Sequence, residues 1–134
     1  MIIHSKKVYT SQGVKDVNLI IEGKKIKGII PTDMKADKDY GDLRIIPGLI
    51  DTHNHGTLGY SMANLAPDFP KQIKGYVKGL ASQGVTGILA TCGEPSLYPD
   101  LVKAIKEDYI GAKIIGIHSE GPYLNRVGEK AVDL

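Results

Sequence analysis

The chemistry-bearing residues of this chain cluster at the ends of two apolar runs. The stretch PGLIDTHNHG, Pro47 to Gly56, closes on Asp51, His53 and His55, each two residues from the next. Later, KIIGIHSEG closes on His118 and Glu120 at the same spacing. Side chains alternate across a β-strand, so His53 and His55 share one face with Asp51 below them, and His118 and Glu120 share a face of their own. Imidazoles buried without partners are costly. A His-x-His pair at one strand end, facing a carboxylate from a neighbouring strand, supplies three ligands for a divalent metal such as zinc, and the ion offsets that cost. A lone His-x-His is often surface decoration. Its place directly after PGLID, with Gly56 permitting a sharp exit, argues for a metal instead. His118 stands equally as a ligand or as a hydrogen-bonded histidine behind the ligands. Cys92 reads as a small buried hydrophobe, His4 carries no signal, and Tyr123 reads as a packed loop aromatic.

The elements that must position these residues follow from periodicity. Residues 1 to 46 are short β-like runs broken by Gly, Lys and Asp, with a hairpin expected to turn at Glu22-Gly23-Lys24-Lys25. The polar stretch KADKDYGD, residues 35 to 42, reads as a connector. After Ile45 the pattern changes. GLIDTH is a strand candidate. PDFPKQIKGYVKGLASQG carries Ile73, Tyr76, Val77, Leu80 and Ala81 on one helical stripe, with Gly84 placed to stop it. VTGILATC is a continuous apolar strand of the kind buried on both faces. A second helical stripe holds Leu97, Leu101, Val102, Ile105 and Tyr109, with Pro99 tolerated only in the first turn and Gly111 expected as the cap. AKIIGIHSEG is a third buried strand. Strands alternating with helices imply βαβ crossovers and a parallel sheet, and function in such sheets sits at the carboxyl ends of the strands.

Composition narrows the function classes. With 134 residues, 42% hydrophobic and 24% charged, the chain is an ordinary globular sequence. A formal net charge of +2 is too small to argue for nucleic acid or an anionic membrane surface. The groups Lys24, Lys25 and Lys27, then Lys35 and Lys38, alternate with acids and Gly and read as solvated turns. A single cysteine allows no internal disulfide, no run approaches membrane-spanning length, and the N-terminus has charge where a signal peptide is apolar. A cytoplasmic location is expected.

PGLIDTHNHG resembles the first-strand signature of the amidohydrolase superfamily. GVTGILATC and IIGIHSEGPYLN resemble its N-acetylglucosamine-6-phosphate deacetylase family, the His-x-Glu-Gly-Pro-aromatic segment being the specific signal. The resemblance implies an α/β fold: residues 1–46 as part of a small β-sandwich, and 47–134 as the first three βα units of a TIM-type (β/α)8 barrel. It implies metal ligation by Glu120, with His53 and His55 holding a second ion in two-metal members. Zinc is the expected ion, and a phosphorylated N-acetyl amino sugar the expected substrate. Asp51 is expected behind the ligands, orienting an imidazole. A barrel of this kind takes ~250 residues, so the chain is expected to be an N-terminal portion, inactive alone. The catalytic aspartate and later histidines would lie outside it, and Lys130, Ala131 and Val132 stand where the family shows a substrate-holding Gly-small-His stretch. An open sheet would favour homo-oligomers or association through its strand edges. Two alternatives stay open: another amidohydrolase, dihydroorotase- or deaminase-like, and a catalytically dead interaction module.

Overall fold

A computed structural model describes residues 1–62, 69–121, 126–127 and 132–133. Tyr123, Lys130 and Ala131 lie outside the described residues. The chain divides into two compact units, residues 1–47 and 48–134.

The first unit is one five-stranded sheet. β1 (Ile2–Thr10), β2 (Gly13–Glu22) and β3 (Lys25–Ile30) form an antiparallel meander. The β2–β3 hairpin turns where expected: Glu22 pairs with Lys25, and Gly23 adopts φ +58°, which glycine tolerates without a Cβ penalty. The stretch read as a connector contains a strand. β4 (Lys38–Asp39) and β5 (Arg44–Ile45) both pair in parallel with β1, at Ile3–His4 and Lys7–Val8. Backbone hydrogen bonding overrides the polar composition here, because the Asp37 N–H reaches the Ile2 carbonyl at 2.8 Å and the Asp37 carboxylate accepts from Ile2 at 2.6 Å. Val8 and Leu19 are buried. Between Ser5 and Val8 the β1–β2 register shifts, and the buried Ser5 hydroxyl accepts the Lys7 N–H at 2.9 Å and donates to the Leu43 carbonyl.

His4 is more engaged than its sequence context suggested. Its Nδ1 donates to Asp39 at 2.7 Å and its Nε2 to Asp16 at 2.9 Å. Hydrogen bonding to Asp16, and then to Asp39, raises its pKa above the ordinary imidazole value. The Gly41 N–H and then His4 lower that of Asp39.

In the second unit, β6 (Leu49–Asp51), β7 (Val85–Cys92) and β8 (Lys113–Ser119) form a parallel sheet in that order. α1 (Phe69–Ser82) connects β6 to β7, and α2 (Tyr98–Lys106), entered through a 3-10 turn at Pro95–Leu97, connects β7 to β8. The crossovers are those the alternating pattern implies. Both helices pack on one face, where Ile73, Tyr76, Val77 and Leu80 of α1 and Leu101 and Ala104 of α2 meet Ile88, Ala90, Cys92 and Ile114. Cys92 is a buried free thiol. Burying aliphatic side chains of this kind contributes about 1.5–3 kcal/mol each.

Several boundaries differ from expectation. Ala81 is exposed in the last turn of α1, one 100° step past buried Leu80 and off the stripe that Ile73 and Leu80 share, and Gly84 then turns the chain away at φ +84°. In α2 the buried positions are Leu101 and Ala104, and Val102 faces solvent: with one step per 100°, it falls off the stripe that Leu101 leads. Gly111 does not cap α2, which ends at Lys106 with Glu107 extended. At φ +145° it instead lets the chain pass α1, where a Cβ would lie 2.5 Å from the Val77 carbonyl group. β8 is a sheet edge rather than a strand buried on both faces. Ile115 on β8 and Ile50 on β6 lie on the face away from the helices, 48% and 65% exposed, with Gly87 between them. β9 (Arg126–Val127) and β10 (Val132–Asp133) pair antiparallel, separately from this sheet. Among the described residues no helix is long and apolar enough to cross a membrane.

Candidate metal centre

β6 stops at Asp51, so His53 and His55 stand on the loop beyond it and not on the strand itself. Strand alternation therefore does not set their direction. The loop does so through its own hydrogen bonds. The Asp51 carboxylate accepts the His53 backbone N–H and the Asn54 side-chain amide, each at 3.1 Å, a local turn typical of aspartate. Those are the contacts found for Asp51, where orientation of an imidazole was expected. The Asn54 N–H donates to the Thr91 hydroxyl at the end of β7, at 3.1 Å. Gly56 donates to Asn54 Oδ1 at 2.7 Å, and Ser61 donates to the His55 carbonyl at 2.6 Å. Gly56 is needed for close approach, since a Cβ there would lie 2.7 Å from the Tyr60 carbonyl oxygen.

Glu120 comes from the opposite side, one residue past β8. Its N–H donates to the Cys92 carbonyl at 3.3 Å. Gly93 makes room for it, because a Cβ at that position would meet the Glu120 carbonyl oxygen at 2.7 Å. Tyr98 adds a hydroxyl that hydrogen-bonds Ser119 and reaches the Cys92 carbonyl.

These two segments bring three ligand atoms together. His53 Nε2 and His55 Nε2 are 3.0 Å apart, His55 Nε2 is 3.3 Å from Glu120 Oε2, and His53 Nε2 is 3.9 Å from Glu120 Oε1. The carboxylate is four-fifths buried and the imidazoles about half. Zinc binds nitrogen and oxygen at about 2.0–2.1 Å, and tetrahedral ligands at that radius are separated by about 3.3 Å. The observed separations bracket that value, so the donor set fits a divalent ion. Two imidazole nitrogens at 3.0 Å either share one proton or turn both lone pairs on a common ion. Among the described residues, His53, His55 and Glu120 are the group that could hold a metal.

His118 is adjacent but not in that group. Its ring packs edge-on against His53 with centroids 4.9 Å apart, and its Nδ1 lies 3.2 Å from the Thr52 carbonyl. It thus braces the ligand loop from β8. The sequence carried little sign of Asn54, whose side chain bonds Asp51, Gly56 and Tyr76. Nor did it mark Tyr76, which reads as one more apolar position of α1. Its hydroxyl donates to Asn54 at 3.3 Å, both to the backbone carbonyl and to Oδ1. Burial, and then the Asp51 charge, raises the Tyr76 pKa well above the ordinary phenol value, so the hydroxyl keeps its proton.

No family model matches the chain. A curated relative, the N-acetylglucosamine-6-phosphate deacetylase of Vibrio furnissii, is 29% identical over 97 residues, covering 68% of this chain and 24% of the relative. Two solved structures share the fold, both N-acetyl-D-glucosamine-6-phosphate deacetylases from Mycobacterium smegmatis. One, a variant in complex with N-acetyl-D-glucosamine-6-phosphate, superposes with TM-score 0.75 at 22% identity over 92% of this chain and 33% of its own. The other gives 0.73 at 24% identity over 96% and 38%. The chain therefore spans about a quarter of the curated relative it matches and 33% and 38% of the solved ones. In sequence and in fold it resembles N-acetylglucosamine-6-phosphate deacetylase, over the part of that enzyme that an N-terminal portion would cover.

Proposed function

We propose that these 134 residues are the metal-binding part of a hydrolase that removes the acetyl group from N-acetylglucosamine 6-phosphate. The observation that carries this reading is the convergence of His53, His55 and Glu120 at ligand separations. A bound divalent ion, most simply zinc, supplies Lewis acidity toward an amide carbonyl and a more acidic water. The chain's own residues then have distinct tasks. Glu120 brings negative charge to the centre from a mostly buried position, where it is weakly screened. His53 and His55 contribute neutral nitrogen donors, which leaves the centre its positive charge. Asp51, Asn54 and Thr91 fix the loop that carries the imidazoles.

The surrounding architecture fits the same reading. Residues 1–46 act as one sheet of a small β-sandwich, and β6, β7 and β8 as the first three strands of a (β/α)8 barrel. The side chains of Ile50 and Ile115 face where a barrel interior would be filled. The described residues bring no fourth acid or imidazole among the ligand atoms, so these residues alone should not turn over the amino sugar. Catalytic groups that act as a unit leave no proportionate residual activity when some are missing.

Elemental analysis of the metal-loaded chain tests the assignment. The parent should take up zinc stoichiometrically, and the His53→Ala/His55→Ala double variant should take up essentially none. Equal zinc in both would sink the assignment.

A further inference from the structure

The loop that carries both imidazoles has no strand ladder to hold it, yet three elements converge on its middle residue. Asn54 lies between the ligands, and nearly every polar atom it has is engaged. Its N–H donates to Thr91 on β7 at 3.1 Å, and its Nδ2 donates to Asp51 on β6 at 3.1 Å. Its Oδ1 accepts from Gly56 at 2.7 Å and from the Tyr76 hydroxyl of α1 at 3.3 Å, and its carbonyl accepts from that same hydroxyl. Thr91 is 1% exposed and Tyr76 wholly buried, so two of these partners are immobilised by the core. A buried hydroxyl needs a hydrogen-bond partner, and each of these two finds one on the ligand loop.

We propose that Asn54 is a positioning residue, anchored by Thr91 and Tyr76, that presets the His53 and His55 nitrogens toward Glu120 before a metal arrives. The inference rests on the metal-centre reading and adds to it the origin of the site's order. The bonds of Asn54 hold backbone and side chain alike, so the loop cannot pivot at its middle. The backbone points from which the flanking imidazoles depart are thereby fixed, with their Nε2 atoms 3.0 Å apart and 3.3–3.9 Å from the Glu120 carboxylate. Partners standing behind metal ligands typically govern affinity by 10–100-fold.

The test is zinc affinity of the 134-residue chain, measured by competition against a chromophoric chelator, beside melting temperature in EDTA. Thr91→Val keeps the shape of the side chain and removes the acceptor, and Tyr76→Phe keeps the ring. Asn54→Ala and Thr91→Val should weaken zinc about 10–100-fold, with Tyr76→Phe weaker in effect and Thr91→Ser restoring parental affinity. The EDTA melting temperature of Thr91→Val should stay near the parent's. Parental affinity in both Asn54→Ala and Thr91→Val, with binding still abolished by His53→Ala/His55→Ala, overturns the positioning role and leaves the metal centre standing. Affinity that falls only in proportion to the EDTA melting temperature also overturns it, by assigning the network to folding alone. If the parent binds no zinc, the metal centre and this inference fall together.

Discussion

Single side chains set two expectations independent of the metal. His4 is held between Asp16 and Asp39, with its pKa raised above 6.5 and that of Asp39 lowered below 3.8. A raised imidazole contributes stability that is complete below 6.5 and fades as pH climbs through the folded value. A lowered carboxylate contributes stability that is complete above 3.8 and fades as pH falls. The clasp is therefore strongest between those values. Melts of the parent and a His4→Gln variant should differ most near pH 5.5 and converge by pH 9; a constant gap would contradict this. The second expectation concerns Leu58, which sits at φ +48° before Gly59 at +82°, while Thr57 and Tyr60 exchange both backbone hydrogen bonds at 2.9 Å. Two positive φ angles in a two-residue turn favour Asn-Gly. Leu58→Asn should relieve about 1 kcal/mol of strain and raise the melting temperature by a few degrees. No gain would show the leucine to be held there by contacts worth as much.

Among the elements, the βαβαβ alternation was legible because long apolar runs and 3.6-residue stripes survive any local detail. Ile73, Tyr76, Val77 and Leu80 sit where their spacing puts them. What escaped was what depends on partners distant in sequence. β4 is polar, and exists because β1 offers it an unpaired edge. β6 is three residues long because the Asp51 carboxylate takes the His53 N–H into a turn. Gly111 looks in sequence like a helix stop, and in the fold it is a crossing point against α1. Gly111→Ala tests that difference. A stop five residues past the helix would tolerate alanine. A crossing with 2.5 Å of room and φ +145° would not, at a cost of about 1–3 kcal/mol. Urea unfolding should show a lower midpoint at unchanged slope. The candidate site divides the same way. Residue types and spacing exposed His53, His55 and Glu120, whereas Asn54 and the Tyr76 hydroxyl became visible only once the loop's hydrogen bonds were in place.

For the molecule as a whole, the placement of the ligands has a consequence for unfolding. β7 lies between β6 and β8, so the imidazoles and the carboxylate arrive from the two outer strands of the sheet. An ion held by all three would cross-link the first and last segments of the βαβαβ unit, closing a long loop through both helices. Unlike a covalent cross-link, an ion that binds only the folded form adds stability by mass action. Zinc at a hundredfold excess over its dissociation constant should contribute about 2.7 kcal/mol. Melting temperature should climb with the logarithm of free zinc in the parent and stay flat in Glu120→Gln. An equal rise in both would place the ion elsewhere. Because the ion would leave with either outer strand, metal supply would set how much of this unit stands folded at a given moment.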